Sequence, residues 1–160
     1  MKAELRKYLN TAKSKRKEYN KFFRKLKQRP PKDLDRRFHA LHEEAFEEID
    51  CLDCANCCKT TSPIFYDKDV ERMAAHFKMK PADFFDQYLK IDEDGDQVLQ
   101  SSPCPFLLED NKCMAYSARP KACREYPHTN RKRMHQILDL TAKNTRVCPA
   151  VAKMVDQMIN

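Results

Sequence analysis

Apolar residues recur at helical spacing through most of this chain. Leu5, Tyr8, Leu9 and Ala12, then Tyr19, Phe22, Phe23 and Leu26, repeat the i, i+3, i+4, i+7 positions of one helical face, with lysine and arginine on the other. Arg29-Pro30-Pro31 ends that helix, because proline lacks an amide donor and pushes its predecessor out of the α region. A second helix is predicted from Asp33 to Ile49, with Leu34, Phe38, Leu41, Ala45 and Ile49 inward and Asp33 or Asp35 as its cap. Asp67 is read as the cap of a third, with Val70, Met73, Ala74 and Phe77 inside. Pro81 suits the first position of a fourth, which buries Phe84, Phe85, Tyr88 and Leu89. Asp94-Gly95 between Ile91 and Val98-Leu99 predicts a short hairpin, and Asp110-Asn111 a second between Cys104 and Tyr116. Pro120 opens a helical turn holding Cys123. Met134, Ile137, Leu138 and Thr141 suit an amphipathic helix or a strand, and Pro149 opens a last helix through Val151, Met154, Val155, Met158 and Ile159.

The expected fold is therefore mainly α, with irregular Cys-rich loops and one or two short hairpins. It reads as a small metal-stabilised single domain, residues 33–160, behind a basic amphipathic helical extension, residues 1–32. A chain of 160 residues with 41% hydrophobic content builds only a modest core, so a metal staple adds stability. The single glycine, Gly95, excludes glycine-rich phosphate loops.

Charge is unevenly placed. Residues 1–37 carry 15 Lys and Arg against 4 Asp and Glu, a net +11, and the remainder 16 against 20, a net −4. An acidic partner, protein or nucleic acid, is expected for residues 1–37. Their aromatics read as a packing face rather than as base-stacking groups, since they keep helical spacing. No apolar run reaches the roughly 18 residues of a membrane span, and no apolar signal segment follows the first lysine. A cytoplasmic location is expected, where thiols stay reduced and eight cysteines need a purpose other than disulfides.

The cysteines carry that purpose. They run Cys51-x2-Cys54-x2-Cys57-Cys58, then Cys104, Cys113, Cys123 and Cys148. Two thiolates separated by two residues can face one metal across a tight turn, a spacing shared by zinc and iron–sulfur sites. Cys-x2-Cys-x2-Cys matches the first three ligands of the bacterial ferredoxin run, whose fourth precedes proline, as Cys104 and Cys148 do here. Iron, as an iron–sulfur cluster, is favoured over zinc, although eight thiols also suffice for two four-cysteine zinc sites. Arg119 and Arg124 flank Cys123 as positive groups beside thiolates, and Cys148 precedes a helix N-terminus. His128, after Tyr126-Pro127, is a candidate for the surroundings of the metal. His39-x2-His42-Glu43 reads as surface histidines. Asp92-x-Asp94-Gly95-Asp96 fails as a calcium loop, because glycine is at the fourth position instead of the sixth.

Taken with Ser102-Pro-Cys104-Pro-Phe-Leu, Cys113-x2-Tyr116 and Arg119-Pro-x2-Cys123-Arg-x-Tyr126-Pro127, the cysteine run resembles the YkgJ family of cysteine-cluster proteins, whose shared unit is the zinc- or iron-chelating CxxCxxCC domain. The matching motifs span about residues 51 to 127. The resemblance implies metal binding through Cys51, Cys54, Cys57, Cys58, Cys104, Cys113 and Cys123, with Cys148 added from its position before a helix. Some members are labelled iron–sulfur oxidoreductases, and a related unit occurs in flagellin lysine N-methylases, which contain segments this chain lacks. Three functions follow as expectations. The first is a metal or cluster protein for redox transfer or metal handling. The second is a cluster-dependent enzyme acting on a protein substrate. The third is a zinc-stabilised adaptor that binds nucleic acid or ribosome through the basic arm.

Overall fold

A computed structural model describes residues 1–160. The chain is mainly helical, with nine α-helices and one two-stranded hairpin, and it divides into two compact units. The first unit is built from residues 1–54 and 127–160, the second from residues 55–126.

In the first unit, α1 (Ala3–Ser14), α2 (Arg16–Gln28) and α3 (Leu34–Glu48) combine with α8 (Leu138–Asn144) and α9 (Pro149–Ile159). The predicted first helix is interrupted at Lys15, whose φ of −90° and ψ of 18° leave the helical region. No apolar side chain lies between Ala12 and Tyr19 to hold that turn against the core, and Lys15 instead reaches Asp156 at 2.8 Å. The apolar face otherwise packs as its spacing requires. Tyr19, Phe23 and Leu26 are buried with Phe38, Leu138 and Val155, and the Tyr19 hydroxyl donates to the Ala152 carbonyl at 3.1 Å. Asp33 holds the N-cap position of α3 without a side-chain cap bond. Asp35 turns instead to the later loop and accepts from the backbone N–H of Arg133 at 2.7 Å and of Met134 at 2.8 Å. Burial pushes its carboxyl up, but those two donors outweigh burial and hold it below the usual carboxylate range. The segment after Met134 is helical, a short 3₁₀ turn running into α8, and Thr141 is buried there with its hydroxyl on Ile137 O.

In the second unit, α5 (Asp67–His76) and α6 (Pro81–Tyr88) follow the short α4 (Asn56–Thr60), and α7 (Lys121–Glu125) comes last. Between them β1 (Leu89–Ile91) pairs antiparallel with β2 (Gln97–Leu99), Leu89 opposite Leu99. Asp92 closes that hairpin by accepting from Asp94 N and Asp96 N, and Gly95 takes a φ of 82° that a side chain resists. The second predicted hairpin reduces to one antiparallel bridge, Leu107 to Cys113, around a turn with Asn111 at φ 67°. The core is aromatic. Phe84 is fully buried, the Phe77 and Phe106 rings stack with centroids 5.2 Å apart, and Tyr88 lies 4.9 Å from Phe106. No helix is long and apolar enough to cross a membrane.

The start of α5 differs from expectation. Tyr66 is the residue before its first turn, and Asp69, three residues on, accepts from Tyr66 N at 3.0 Å, so Asp67 sits inside the helix. The end of α5 is a Schellman cap: Met79 N bonds to Ala74 O, and Lys78 N to Ala75 O, with Lys78 at φ 55°. A lysine there bears a left-handed backbone that glycine adopts freely. Lys78→Gly is therefore expected to stabilise the protein by about 1 kcal/mol, read as a higher denaturant midpoint; an unchanged or lower midpoint contradicts the strain.

Candidate metal centre

No disulfide joins any of the eight cysteines. The boundary between the units falls inside the first cysteine run, after Cys54, so each unit carries its own thiols.

The first unit holds Cys51, Cys54 and Cys148. Cys51 opens a 3₁₀ turn whose start is fixed by the Asp50 carboxylate accepting from Leu52 N at 2.8 Å, and Cys54 N returns to Cys51 O at 3.1 Å. Cys54 is buried among Leu5, Ala45, Ile49 and Met154, with Cys148 packed against the same cluster. Cys148 occupies the N-cap of α9, and the N–H groups of Ala150 and Val151 point at its sulfur. Burial pushes the Cys148 thiol up to about 12, the charges of Cys51 and Cys54 push the same way, and the two N–H groups oppose them.

The second unit holds the other five. Cys57 and Cys58 lie on α4, which begins at Ala55 in the left-handed region at φ 50°. Cys104 N donates to Cys58 O at 2.8 Å, which ties the Ser102–Phe106 loop to α4. Cys113 lies at the narrow bridge, and Cys123 sits in the middle of α7, after Pro120. Burial pushes Cys104 up to about 11 and Cys123 to about 12, and it raises Cys113 as well. Cys58 acts on all three as a neighbouring negative charge. Cys58 itself moves the other way, to about 7, because the Cys57 thiol donates to it and Arg119 and Lys59 lie near. The N–H groups of Phe106 and Leu107 face the Cys104 sulfur, and that of Ala115 faces Cys113.

Arg119 supplies the positive charge acting on Cys58, Cys113 and Cys123. Its guanidinium lies 3.7 Å over the Tyr116 ring, and its Nε donates to Tyr116 O at 3.0 Å. Arg124 follows Cys123 on α7, Tyr126 ends that helix through its N–H on Ala122 O, and His128 lies beyond Pro127 in the first unit at φ 66°. His39 and His42 hold the loop after Pro127 to α3. His39 Nε2 lies 2.8 Å from Arg131 O, and His42 Nδ1 lies 2.8 Å from the hydroxyl of the fully buried Thr129. Burial lowers the His42 pKa, which keeps the ring neutral in that contact.

Two residues essential to this geometry carry no cysteine signal. The Asp69 carboxylate is buried, 4% exposed, and accepts from Arg72 at 2.5 Å and from Lys121 N, the first residue of α7, at 3.1 Å. Arg72 also donates to Ala118 O and Arg119 O. Together they fix the turn that presents Arg119 and Cys123. The Glu/Asp-x2-Arg spacing on one helix is common, and only the distant backbone partners distinguish this pair.

The donor set fits a thiophilic metal. Soft thiolates at this density suit zinc or iron, and backbone N–H groups aimed at sulfur are the arrangement that supports metal-bound thiolate. No three His, Cys, Asp or Glu side chains stand grouped as a ready-made metal site.

Burial pushes the Asp69 carboxyl up, but Tyr66 N, Arg72 and Lys121 N outweigh it and hold its pKa below the usual value. Its contribution to stability is therefore complete above the unfolded-state pKa of about 4 and disappears as pH falls through the lower folded value. Asp69→Asn is expected to cost about 2–3 kcal/mol at pH 7. The gap from wild type should narrow at pH 3, as measured by denaturant titration at both pH values. Equal gaps contradict the assignment.

No solved structure matches the chain. A family model described as "CxxCxxCC: Putative zinc- or iron-chelating domain" matches residues 50–149, well over half of the sequence and all eight cysteines. Free, clustered thiols with N–H groups aimed at their sulfurs agree with that match, and the chain belongs to the CxxCxxCC family of zinc- or iron-chelating domains.

Proposed function

We propose that this domain holds iron through its cysteines, as an iron–sulfur cluster, and serves redox transfer, with the thiols of each unit acting as ligands within that unit. The observation that carries the reading is the group of half-buried thiols Cys58, Cys104, Cys113 and Cys123, in which Cys58 lies near enough to raise the other three and Cys104 and Cys113 also raise Cys123. Four thiols are enough to hold one cluster or one tetrahedral ion. Iron is preferred because Cys51-x2-Cys54-x2-Cys57 has the ferredoxin spacing and because Cys104 and Cys148 precede prolines.

When bound, such a cluster supplies reversible one-electron transfer. The protein's own part is to hold and tune it. Arg119 and the N–H groups of Phe106, Leu107 and Ala115 offset thiolate charge, and burial of Cys123 limits the access of water. Leu108, Met114 and Tyr116 are exposed around Cys113 and offer an apolar surface for a protein that exchanges electrons. Free thiols throughout favour the reducing conditions of the cytoplasm.

Elemental and sulfide analysis of protein purified without oxygen tests the metal. Iron with matching acid-labile sulfide and a brown absorbance is expected; stoichiometric zinc without sulfide overturns the cluster. Cys54→Ala is expected to lose metal and to lower the melting temperature, because ligation and folding are coupled in such sites. Unchanged metal content and an unchanged melting temperature in that variant remove Cys54 from the ligand set.

A further inference from the structure

The first unit carries a feature that the thiols do not use. Between α2 and the end of α8 lies a cavity of about 340 Å³, large enough for a small-molecule moiety. Its floor is apolar, from Leu9, Ala12, Phe23 and Ala142. Its rim is cationic: Lys13 and Arg16 on either side of the Lys15 break, and Arg146 across from them. The amides of Asn10 and Asn20 complete the rim, and no carboxylate lines it. The ion pairs of α1 and α2 are made by Lys2, Lys15 and Lys27, each placed where the helices meet an acidic neighbour. Lys13, Arg16 and Arg146 are exposed and make no ion pair.

The rim continues along α2. Beyond the Lys15 break, Lys17, Lys21 and Arg24 stand at intervals of three or four residues on α2, a row of exposed cations about 6 Å apart on one helical face. Their apolar counterparts Tyr19, Phe23 and Leu26 are buried in the unit's own core, and none of the large exposed hydrophobic side chains belongs to α1 or α2. A helix that binds a lipid surface keeps its apolar face available for insertion, and this one has none to offer. A regular line of cations with amides beside it and a small apolar recess suits a polyanion of evenly spaced charge.

We propose that this face binds nucleic acid through its phosphates. One phosphate sits at the rim formed by Lys13, Arg16 and Arg146, its sugar lies over the apolar floor, and the strand continues along Lys17, Lys21 and Arg24. Recognition is of the backbone and independent of sequence. None of the thiols lines the cavity.

Fluorescence anisotropy of the metal-loaded full chain with labelled single-stranded RNA and DNA, over a salt series, tests the proposal. The logarithm of the affinity should fall linearly with the logarithm of salt concentration. Arg16→Gln with Arg146→Gln should flatten that slope by about 1.4 and weaken binding about tenfold near 0.1 M salt. Arg16→Lys with Arg146→Lys should restore most of the slope. Lys68→Ala with Lys90→Ala, which removes the same charge from exposed positions of the second unit, should change affinity less than about twofold. Absence of oligonucleotide binding at low salt overturns the proposal, as does an equal loss in the Lys68 and Lys90 variant. Binding to phosphatidylserine vesicles that is stronger than to oligonucleotide and sensitive to Arg16 and Arg146 overturns it in favour of a lipid surface. Circular dichroism of each variant confirms that the fold is retained.

Discussion

A buried thiol is harder to ionise than a free one, and a second thiolate beside it makes the task harder still. That opposition organises the second unit. Cys104, Cys113 and Cys123 are raised by burial and again by Cys58, so the four cannot become anionic together unless positive charge arrives. The polypeptide provides part of it, through Arg119 and through N–H groups aimed at Cys104 and Cys113. A thiophilic cation provides the remainder. Seen this way, the aromatic core of Phe77, Phe84, Tyr88 and Phe106 has a definite role. Phe106 lies two residues after Cys104, and its carbonyl accepts from Met114 N next to Cys113. Anchoring that one ring therefore places both sulfurs.

Carboxylates do comparable work where no helix reaches. Asp69 binds the N–H of Lys121, and through Arg72 it also holds the carbonyls of Ala118 and Arg119. Asp35 binds the N–H groups of Arg133 and Met134, and Arg133 takes a left-handed φ of 60° to present them. In both cases one acidic side chain sets the path of a loop far away in sequence. Such fixed loops are what a chain with a single glycine needs when it must bend sharply around cysteines.

The helices were legible because helical spacing and prolines speak locally. Pro81 and Pro149 each stand at the first helical position, and Phe84 and Val155 fall on the buried faces that their spacing requires. The break at Lys15 was only half legible: the polar run from Lys13 to Glu18 marks the weak turn, but Asp156, which Lys15 pairs with, lies far along the chain. Asp67 reads as the cap of α5 from its place before the apolar positions, but Tyr66 stands there instead and Asp69 reaches back to its N–H, a contact that the local pattern does not show. Among the site residues, the cysteines announced themselves by density and Arg119 by its neighbour Cys123. Asp69 and Arg72 did not, because their importance lies in backbone atoms some fifty residues away, which no local pattern encodes. The division of the first cysteine run after Cys54 was equally hidden, since Cys51 to Cys58 reads as one uninterrupted motif.

The discontinuous make-up of the first unit also has a meaning for synthesis. Its opening helices, α1 to α3, emerge from the ribosome well before α8 and α9, against which Tyr19 and Phe38 are buried. Residues 55–126, by contrast, form a contiguous unit whose own contacts are complete before that partner surface is translated. The contact of α1 with α9 joins segments more than a hundred residues apart, and non-local pairings of that kind slow folding because the loop must close before the contact forms.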